Sequence, residues 1–255
     1  MKTLLNAMVI SFAMYSKIPM PRVEWSKENM KYSMCFFPAV GMVIGVLVTA
    51  WGLVGARAAM SPAFYTAVMI LIPVFVTGGL HLDGLLDTAD AMSSYQSRER
   101  RLEILKDSNS GAFAVITCVC YFILDYGVWT EVKGEALLVL SLGFVLSRSL
   151  SGLSVVSFRC ARNTGLAVAF AEPAQKKTVQ AVMAVHIAAV ALLMCLISVP
   201  LAAAALAAAA CVFGYYRYMS YTHFGGITGD LAGFFLQVCE LGMALAVAAV
   251  GMILG

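Results

Sequence analysis

The sequence predicts an all-α, polytopic transmembrane bundle of about seven spans, preceded by an N-terminal interfacial or re-entrant helix. Hydrophobic residues make up 61% of the 255 residues and charged residues only 12%, whereas about a quarter of an average soluble protein is charged. Apolar stretches of about 20 residues, long enough to cross a bilayer, recur along the chain. Because the polar segments between them are too short for a separate soluble domain, residues 1–255 are expected to form a single integral-membrane domain.

The seven predicted spans cover residues 33–55, 62–80, 111–129, 136–158, 178–199, 201–216 and 231–253, and the sixth is short and rich in alanine. The first 16 residues are ambiguous, since Lys2 and the apolar run after it have the look of a signal peptide. No small-residue cleavage site precedes the break at residues 18–21, and the chain then continues as a membrane protein. An uncleaved interfacial or re-entrant helix is therefore favoured over an eighth span.

The basic residues are distributed unevenly between the two sets of loops. If the loop at 17–32 is cytoplasmic, then so are the loops at 81–110, 159–177 and 217–230, and these four carry 13 of the 17 Lys and Arg residues. The opposite loops carry only Arg57 and Lys133. Because basic loops stay on the cytoplasmic side, we expect a multi-pass protein of a bacterial-type cytoplasmic (inner) membrane, with these four loops facing the cytoplasm.

Three acidic residues, Asp83, Asp87 and Asp90, follow the second span directly, and the glycine pair at 78–79 before them allows the helix to bend or to pack closely there. Steps of four and three residues place them within roughly 60° of one helix face. Like charges repel, and each would cost about 2.5–3.5 kcal/mol at membrane depth, so a compensating cation is expected. Mg²⁺ prefers oxygen ligands and shares its shell with phosphates, and we predict that these residues bind it. The competing interpretation is an acidic helix end that is solvated or paired with the arginines at 98–101.

The segment Lys106-Asp107-Ser108-Asn109-Ser110-Gly111 lies immediately before the third span. Its Asp, Ser or Asn side chains are suited to cap the next helix. A helix N-terminus also favours anions, and Lys106 beside it would suit a phosphate. A cap alone and a cap with a phosphate site both remain open.

Two further charges lie inside apolar spans. Arg148, in the fourth span, is expected to face the bundle interior and to contact a bound anion or a carboxylate partner; a purely structural ion pair is the alternative. Asp125 falls near the opposite end of the third span and is interpreted as a membrane-interface residue outside the site. Gly41 and Gly45, spaced by four in the first span, predict a helix-packing face.

The last span opens on a glycine-rich turn, in which Gly225, Gly226, Thr228 and Gly229 precede Asp230. Such turns direct backbone N–H groups towards phosphates, although a turn uses glycine in any case. Positions 230, 233, 237 and 240, the last of them Glu240, share a helical stripe of roughly 80°, so the site is expected to continue into the bundle. Histidines beside the two ligand elements, at positions 81 and 223, could orient carboxylates or transfer protons; otherwise they are surface residues.

These motifs, taken in order, resemble a known family. They read Gly79-Leu-His-Leu-Asp83-Gly-Leu-x-Asp87-Thr-Ala-Asp90, Lys106-Asp107-x-x-x-Gly111-x-Phe113, Ser147-Arg148 and Gly225-Gly-Ile-Thr-Gly-Asp230, with Glu240 downstream. The pattern is similar to that of the adenosylcobinamide-GDP ribazoletransferases, also called cobalamin 5′-phosphate synthases. The likeness includes Tyr15-Ser-Lys-Ile-Pro19 and covers most of the chain.

The resemblance implies a Mg²⁺-dependent membrane enzyme of late cobalamin assembly, which joins adenosylcobinamide-GDP to α-ribazole or its 5′-phosphate and releases GMP. It implies the lipid bilayer and other cobalamin-assembly enzymes as partners, no nucleic acid, and leaves the oligomeric state open. The implied catalytic residues are Asp83, Asp87, Asp90 and Asp230, the first three also holding the metal. The implied substrate-binding residues are His81, Lys106, Asp107, Arg148, His223, Gly225, Gly226, Thr228, Gly229 and Glu240.

Two other functions compete with this expectation. A CDP-alcohol phosphotransferase also combines spans with an Asp cluster, but its motif needs Asp-Gly-x-x-Ala-Arg, and here Asp83-Gly84 is followed by Leu-Leu-Asp-Thr. An ion-coupled transporter would place acids near the bilayer midplane and often shows matching halves. In this chain the acids crowd towards one face, and no half-to-half symmetry is visible.

Overall fold

The computed structural model describes residues 2–55, 57–58, 60–107 and 109–254. The predicted all-α architecture is confirmed, since this part of the chain contains helices and no strand beyond an isolated bridge between Cys160 and Ile227. Six of its helices are long and apolar enough to cross a membrane, and a bent pair adds a seventh if it counts as one span. The predicted number of spans agrees with this.

The helices follow the predicted spans closely. In chain order they are α1 (Lys2–Tyr15), α2 (Lys27–Met30), a 3-10 turn (Ser33–Phe36), α3 (Phe37–Gly55), α4 (Pro62–Thr77), α5 (Leu80–Ser93), α6 (Arg98–Ile104), α7 (Ala112–Glu131), α8 (Glu135–Ser157), α9 (Leu166–Ala171), α10 (Lys176–Ile197), α11 (Val199–Met219), a π-helical turn (Ser220–Phe224) and α12 (Gly229–Leu254). With 14 residues, α1 is about 21 Å long, shorter than a bilayer core of about 30 Å. Its length therefore favours the interfacial or re-entrant helix over an eighth span.

Helix α8 forms the centre of the bundle, where it contacts α3, α10, α11 and α12. The predicted packing face on α3 is confirmed. A Cβ atom added to Gly41 would lie 2.3 Å from the Phe144 carbonyl oxygen, and one added to Gly45 would lie 2.4 Å from that of Ser141. Only glycine permits this approach, because a side chain would push the two backbones apart.

The chain turns sharply between α4 and α5. Gly78 and Gly79 both adopt left-handed conformations, with φ of 65° and 79°, which glycine reaches without steric cost. The two helices consequently meet at an angle of 93°, as the glycine pair predicted. Lys17 supports the turn, because its backbone N–H donates to the Val76 carbonyl at 2.7 Å and its side chain packs on Gly78.

After the turn, α5 packs against the beginning of α12. A Cβ atom on Gly84 would lie 2.5 Å from the Asp230 carbonyl oxygen, and one on Gly233 would lie 3.1 Å from that of His81. Two glycines thus allow the helices to cross in close contact. The crossing places the acidic face of α5 beside the first turn of α12.

Candidate active site

Carboxylates from two helices gather where α5 crosses α12. Asp83 is exposed, whereas Asp87 and Asp230 are half-buried. The charges of Asp83, Asp230, Asp90 and Asp107 all lie near enough to repel a negative charge on Asp87. In the described part of the chain, no basic side chain is within salt-bridge distance of any of these five. This concentration of negative charge favours a cation from outside the protein.

The donor set suits magnesium only if a ligand completes it. Among the described residues, no three His, Cys, Asp or Glu side chains are arranged to hold a metal ion by themselves. Mg²⁺ is commonly bound through one or two carboxylates together with the phosphates of a substrate. The hard oxygens of Asp83 and Asp87 fit that requirement.

Asp90 has a structural role that the sequence did not predict. Its carboxylate accepts hydrogen bonds from the backbone N–H groups of Gly111 and Ala114, the latter at 2.8 Å. It therefore caps α7 from a different helix, since the first N–H groups of a helix have no partner within it. Its predicted role as a metal ligand remains untested.

The prediction that Asp107 or Asn109 caps α7 is wrong. Asp107 accepts hydrogen bonds from the Asn109 backbone N–H at 3.0 Å and from its side-chain amide at 2.8 Å, so it closes a local turn. These bonds lower the pKa of the Asp107 carboxyl from its ordinary value. Of the two serines in the segment, Ser108 lies outside the described residues, and Ser110 precedes Gly111, the residue at the N-cap position of α7.

A cavity of about 260 Å³ borders Asp230. Its lining also includes Lys106, Arg162, Thr228 and Gly229. The cavity thus combines two cations, a hydroxyl group and the first turn of α12, which is a setting that suits phosphate oxygens.

Arg162 is a candidate site residue that the sequence interpretation missed. Its Nη2 donates to the Leu102 carbonyl, and its Nε is buried without a partner in the described structure. Burial lowers the pKa of the Arg162 guanidinium, while the charge of Asp230 acts in the opposite direction. A cation with an unused, buried donor favours an anionic ligand. In the sequence, Arg162 could have been recognised as a candidate only from its position three residues after Arg159 in a predicted cytoplasmic loop.

His81 lies in a second, smaller cavity of about 60 Å³, which shares Gly229 and Asp230 with the first. Its interpretation as a surface residue is wrong, because only 3% of it is exposed. The ring is packed against Tyr15 and Phe37, with centroid distances of 6.4 and 6.0 Å. Its Nε2 is buried without a hydrogen-bond partner in the described structure, so the ring is available to a ligand in the cavity.

The glycine-rich turn offers fewer N–H groups than predicted. The N–H groups of Gly225 and Gly226 donate to the Ser220 carbonyl, and that of Ile227 donates to the Arg159 carbonyl at 2.9 Å. These groups are therefore not available to a phosphate. Residues Ile227–Asp230 of the turn line the cavity. The predicted phosphate site is therefore narrowed from the whole glycine-rich turn to these residues.

Comparison with known proteins agrees with the motifs. Residues 7–248 match the cobalamin-5-phosphate synthase family. The chain belongs to this family. A protein of Lachnoclostridium phytofermentans, named adenosylcobinamide-GDP ribazoletransferase, is 42% identical over 243 residues, which are 95% of this chain and 93% of that protein.

Other relatives with the same name are less identical to the chain but also match most of its length. One from Clostridium botulinum is 30% identical over 94% of this chain and 96% of its own length, and one from Pseudomonas fluorescens is 33% identical over 87% and 89%. No solved structure matches the chain. The resemblance to the cobalamin-5-phosphate synthase family that the motifs predicted is confirmed.

In this member of the cobalamin-5-phosphate synthase family, Arg148 and Glu240 bind each other inside the bundle. Arg148 is fully buried, and its Nη1 donates to Glu240, to the Ser147 hydroxyl and to the Phe144 carbonyl. Neither residue lines the two cavities that border Asp230. The ion pair occupies Nη1 alone, and Nε and Nη2 of Arg148 are buried without a partner in the described structure. The role of Arg148 and Glu240 as substrate ligands stays a prediction.

Asp125, which the sequence places at the membrane interface, is buried in the bundle. Only 7% of Asp125 is exposed, and it lines an interior cavity together with Tyr121, Gln237 and Glu240. Of the predicted stripe on α12, Gln237 and Glu240 thus face this interior cavity, while Asp230 and Gly233 line the cavity beside His81. Sequence position alone could not reveal which neighbours surround Asp125.

Proposed function

We propose that the protein joins adenosylcobinamide-GDP to α-ribazole, or to α-ribazole 5′-phosphate, and releases GMP in the nucleotide-loop stage of cobalamin synthesis. The observation that carries this proposal is the lining of the 260 Å³ cavity, in which Lys106 and Arg162 lie together with Thr228 and Asp230. The names of the relatives support the choice of substrates.

We propose Mg²⁺ as the metal and Asp83 and Asp87 as its protein ligands, completed by the diphosphate of the donor. A metal ion bound there would neutralise charge on the phosphate oxygens and on the departing GMP. Asp230 stands at the junction of both cavities, and its Oδ2 accepts a hydrogen bond from Thr228 Oγ1 at 3.3 Å. This bond holds the carboxylate beside the reacting groups.

The remaining residues act by positioning and by charge. Lys106 and Arg162 contact non-bridging oxygens of the phosphate that is attached to cobinamide, where their charges stabilise the transition state. A hydroxyl of the ribazole attacks the phosphorus that is attached to cobinamide, forming a new P–O bond, while the bridging P–O bond to GMP breaks. Phosphoryl transfer depends mainly on such positioning and charge stabilisation.

We propose further that this site faces the cytoplasm of a bacterial-type inner membrane. The lining of the two cavities includes residues of α5 and of the loops at 159–165 and 225–229, which belong to the loops that carry most basic residues. Positively charged loops are retained on the cytoplasmic side. Labelling of a cysteine introduced at exposed Glu99 should need membrane-permeant reagents in intact cells; labelling by impermeant reagents would contradict this orientation.

The direct test is to incubate the purified protein with adenosylcobinamide-GDP, α-ribazole and Mg²⁺ and to measure GMP. Chelation of the metal should stop GMP release, and added Mg²⁺ should restore it. Asp83→Asn and Asp87→Asn should each lower turnover by a factor of about 100 or more, since charge-stabilising groups contribute effects of that size. Glu99→Gln, an exposed acid on α6, is the matched control and should be unchanged.

Three outcomes would contradict the proposal. Near-normal turnover in both Asp variants would exclude the metal assignment. Preference for a CDP-linked over a GDP-linked donor would favour a CDP-alcohol phosphotransferase. Ion-driven uptake by proteoliposomes without any GMP release would favour a transporter.

A further inference from the structure

Three arginines that the mechanism above does not use converge on the turn at residues 220–226. Arg159 Nε donates to the Gly225 carbonyl at 3.0 Å. Arg101 Nη1 lies 2.9 Å from His223 Nδ1, which must accept, because a guanidinium only donates. Arg98 packs so closely on Gly225 that a Cβ atom there would lie 2.1 Å from the guanidinium carbon. We call Arg98, Arg101 and Arg159 the arginine cluster.

The positive charges of the arginine cluster are not compensated by the described part of the protein. No carboxylate there is within salt-bridge distance of any of the three. Arg100, in the same helix, differs in this respect, because its Nη1 lies 2.7 Å from Glu103. The buried Nε of Arg101 has no hydrogen-bond partner among the described residues. Repulsion between like charges and an unused donor together favour an anion with more than one charge.

The cluster adjoins the cavity that is proposed to hold the diphosphate. The Ala161 N–H donates to the Ile227 carbonyl, so the loop after α8 runs beside the glycine-rich turn. Arg159 stands at one end of this contact and Arg162, a wall of the cavity, stands at the other. Arg162 also reaches α6 through the Leu102 carbonyl, and α6 carries Arg98 and Arg101. The arginine cluster and the wall of the cavity are therefore connected through Arg162 and the loop after α8.

We propose that the arginine cluster binds the phosphate of the guanosine nucleotide that leaves as GMP. This inference rests on the proposed function and assigns the nucleotide half of the donor to the α6 side of the turn. The planar guanidinium matches phosphate oxygens through paired hydrogen bonds, which lysine cannot reproduce. Arg98 and Arg159 are exposed, so the nucleotide can depart directly into water.

The test compares Arg98→Gln, Arg101→Gln and Arg159→Gln with the matched control Arg100→Gln, all in nanodiscs of phosphatidylcholine. Each cluster variant should raise the inhibition constant of GMP and the KM for the GDP-linked donor roughly tenfold, the effect of one lost charge-assisted bond. The KM for α-ribazole should stay within about twofold of the wild-type value. The melting temperature should stay within about 2 °C of wild type. Arg100→Gln should match wild type throughout.

A second measurement separates the inference from the proposed function. Direct titration of GMP against the purified protein needs no turnover, so binding that the cluster variants weaken supports the cluster even if no GMP is ever released. If Arg101→Gln does not yield folded protein, Arg101→Lys takes its place and should retain the charge but lose several-fold in GMP affinity.

Two results would overturn the inference. The first is unchanged GMP binding and unchanged donor KM in all three cluster variants. The second is unchanged GMP binding together with weaker association with vesicles of phosphatidylglycerol, which would make the cluster a site for lipid phosphates.

Discussion

Replacement of Asp90 by alanine should destabilise the protein more than it impairs catalysis. The change removes the acceptor of the N–H groups of Gly111 and Ala114 at the start of α7. A lost helix cap costs about 1 kcal/mol, and bonds to a charged acceptor are worth up to about 1.5–3 kcal/mol each. Because Gly111 is exposed and water can replace one bond, we expect a loss of about 1–2 kcal/mol in total.

The assay is thermal unfolding in detergent, followed by GMP release over a range of Mg²⁺ concentrations. At about 2–4 °C per kcal/mol for a chain of this size, Asp90→Ala should melt about 2–8 °C below wild type, and Asp90→Asn, which keeps one acceptor oxygen, about half as far below. Turnover should persist in both variants at low temperature. Asp83→Asn is the matched comparison and should lose turnover while melting like wild type.

The opposite pattern would refute this reasoning. If Asp90→Ala melts at the wild-type temperature and loses turnover and Mg²⁺ response as Asp83→Asn does, then Asp90 acts as a metal ligand. The hydrogen bonds to α7 would then contribute little to stability.

Two further predictions concern packing and buried charge. Gly84→Ala places a Cβ atom 2.5 Å from the Asp230 carbonyl oxygen, and it should cost about 1–3 kcal/mol of stability and most of the turnover. Gly127→Ala, whose Cβ atom would have no atom within 4 Å, is the control and should leave turnover intact. Melting curves and GMP assays check both variants, and an active Gly84→Ala would contradict the close crossing of α5 and α12. Arg148→Met leaves Glu240 without its counter-charge and should cost about 3–5 kcal/mol of stability. The double variant Arg148→Met/Glu240→Leu should recover most of this loss. A melting temperature of the double variant no higher than that of Arg148→Met would show that the two residues are not coupled.

The sequence predicted the helices and their sharp turn because those features are local. Apolar length determines a span, and Gly78-Gly79 supplies left-handed backbone wherever it occurs. The same holds for the packing face at Gly41 and Gly45, which depends only on the absence of side chains. The acidic face of α5 could likewise be predicted, because helical periodicity alone places residues 83, 87 and 90 on one side of the helix.

Contacts between distant segments could not be predicted in this way. The cap of α7 comes from Asp90, 21 residues before Gly111, whereas capping residues are ordinarily sought next to the helix. Arg100 and Arg101 are neighbours with the same charge, yet only Arg100 has a carboxylate partner in the described structure. Such differences arise from tertiary packing and leave no trace in composition or spacing.

The right angle after α4 has a consequence for how a membrane protein handles hydrophilic substrates. Had the spanning direction continued, residues 83 to 90 would be staggered in depth by about 10 Å, at 1.5 Å per residue. Where α4 crosses the bilayer along its normal, a helix turned by 93° from it would run along the lipid surface and hold its acids at one depth. Water-soluble and bilayer-associated reactants can then meet at a common height, and changes in membrane thickness would leave the spacing of the acids untouched.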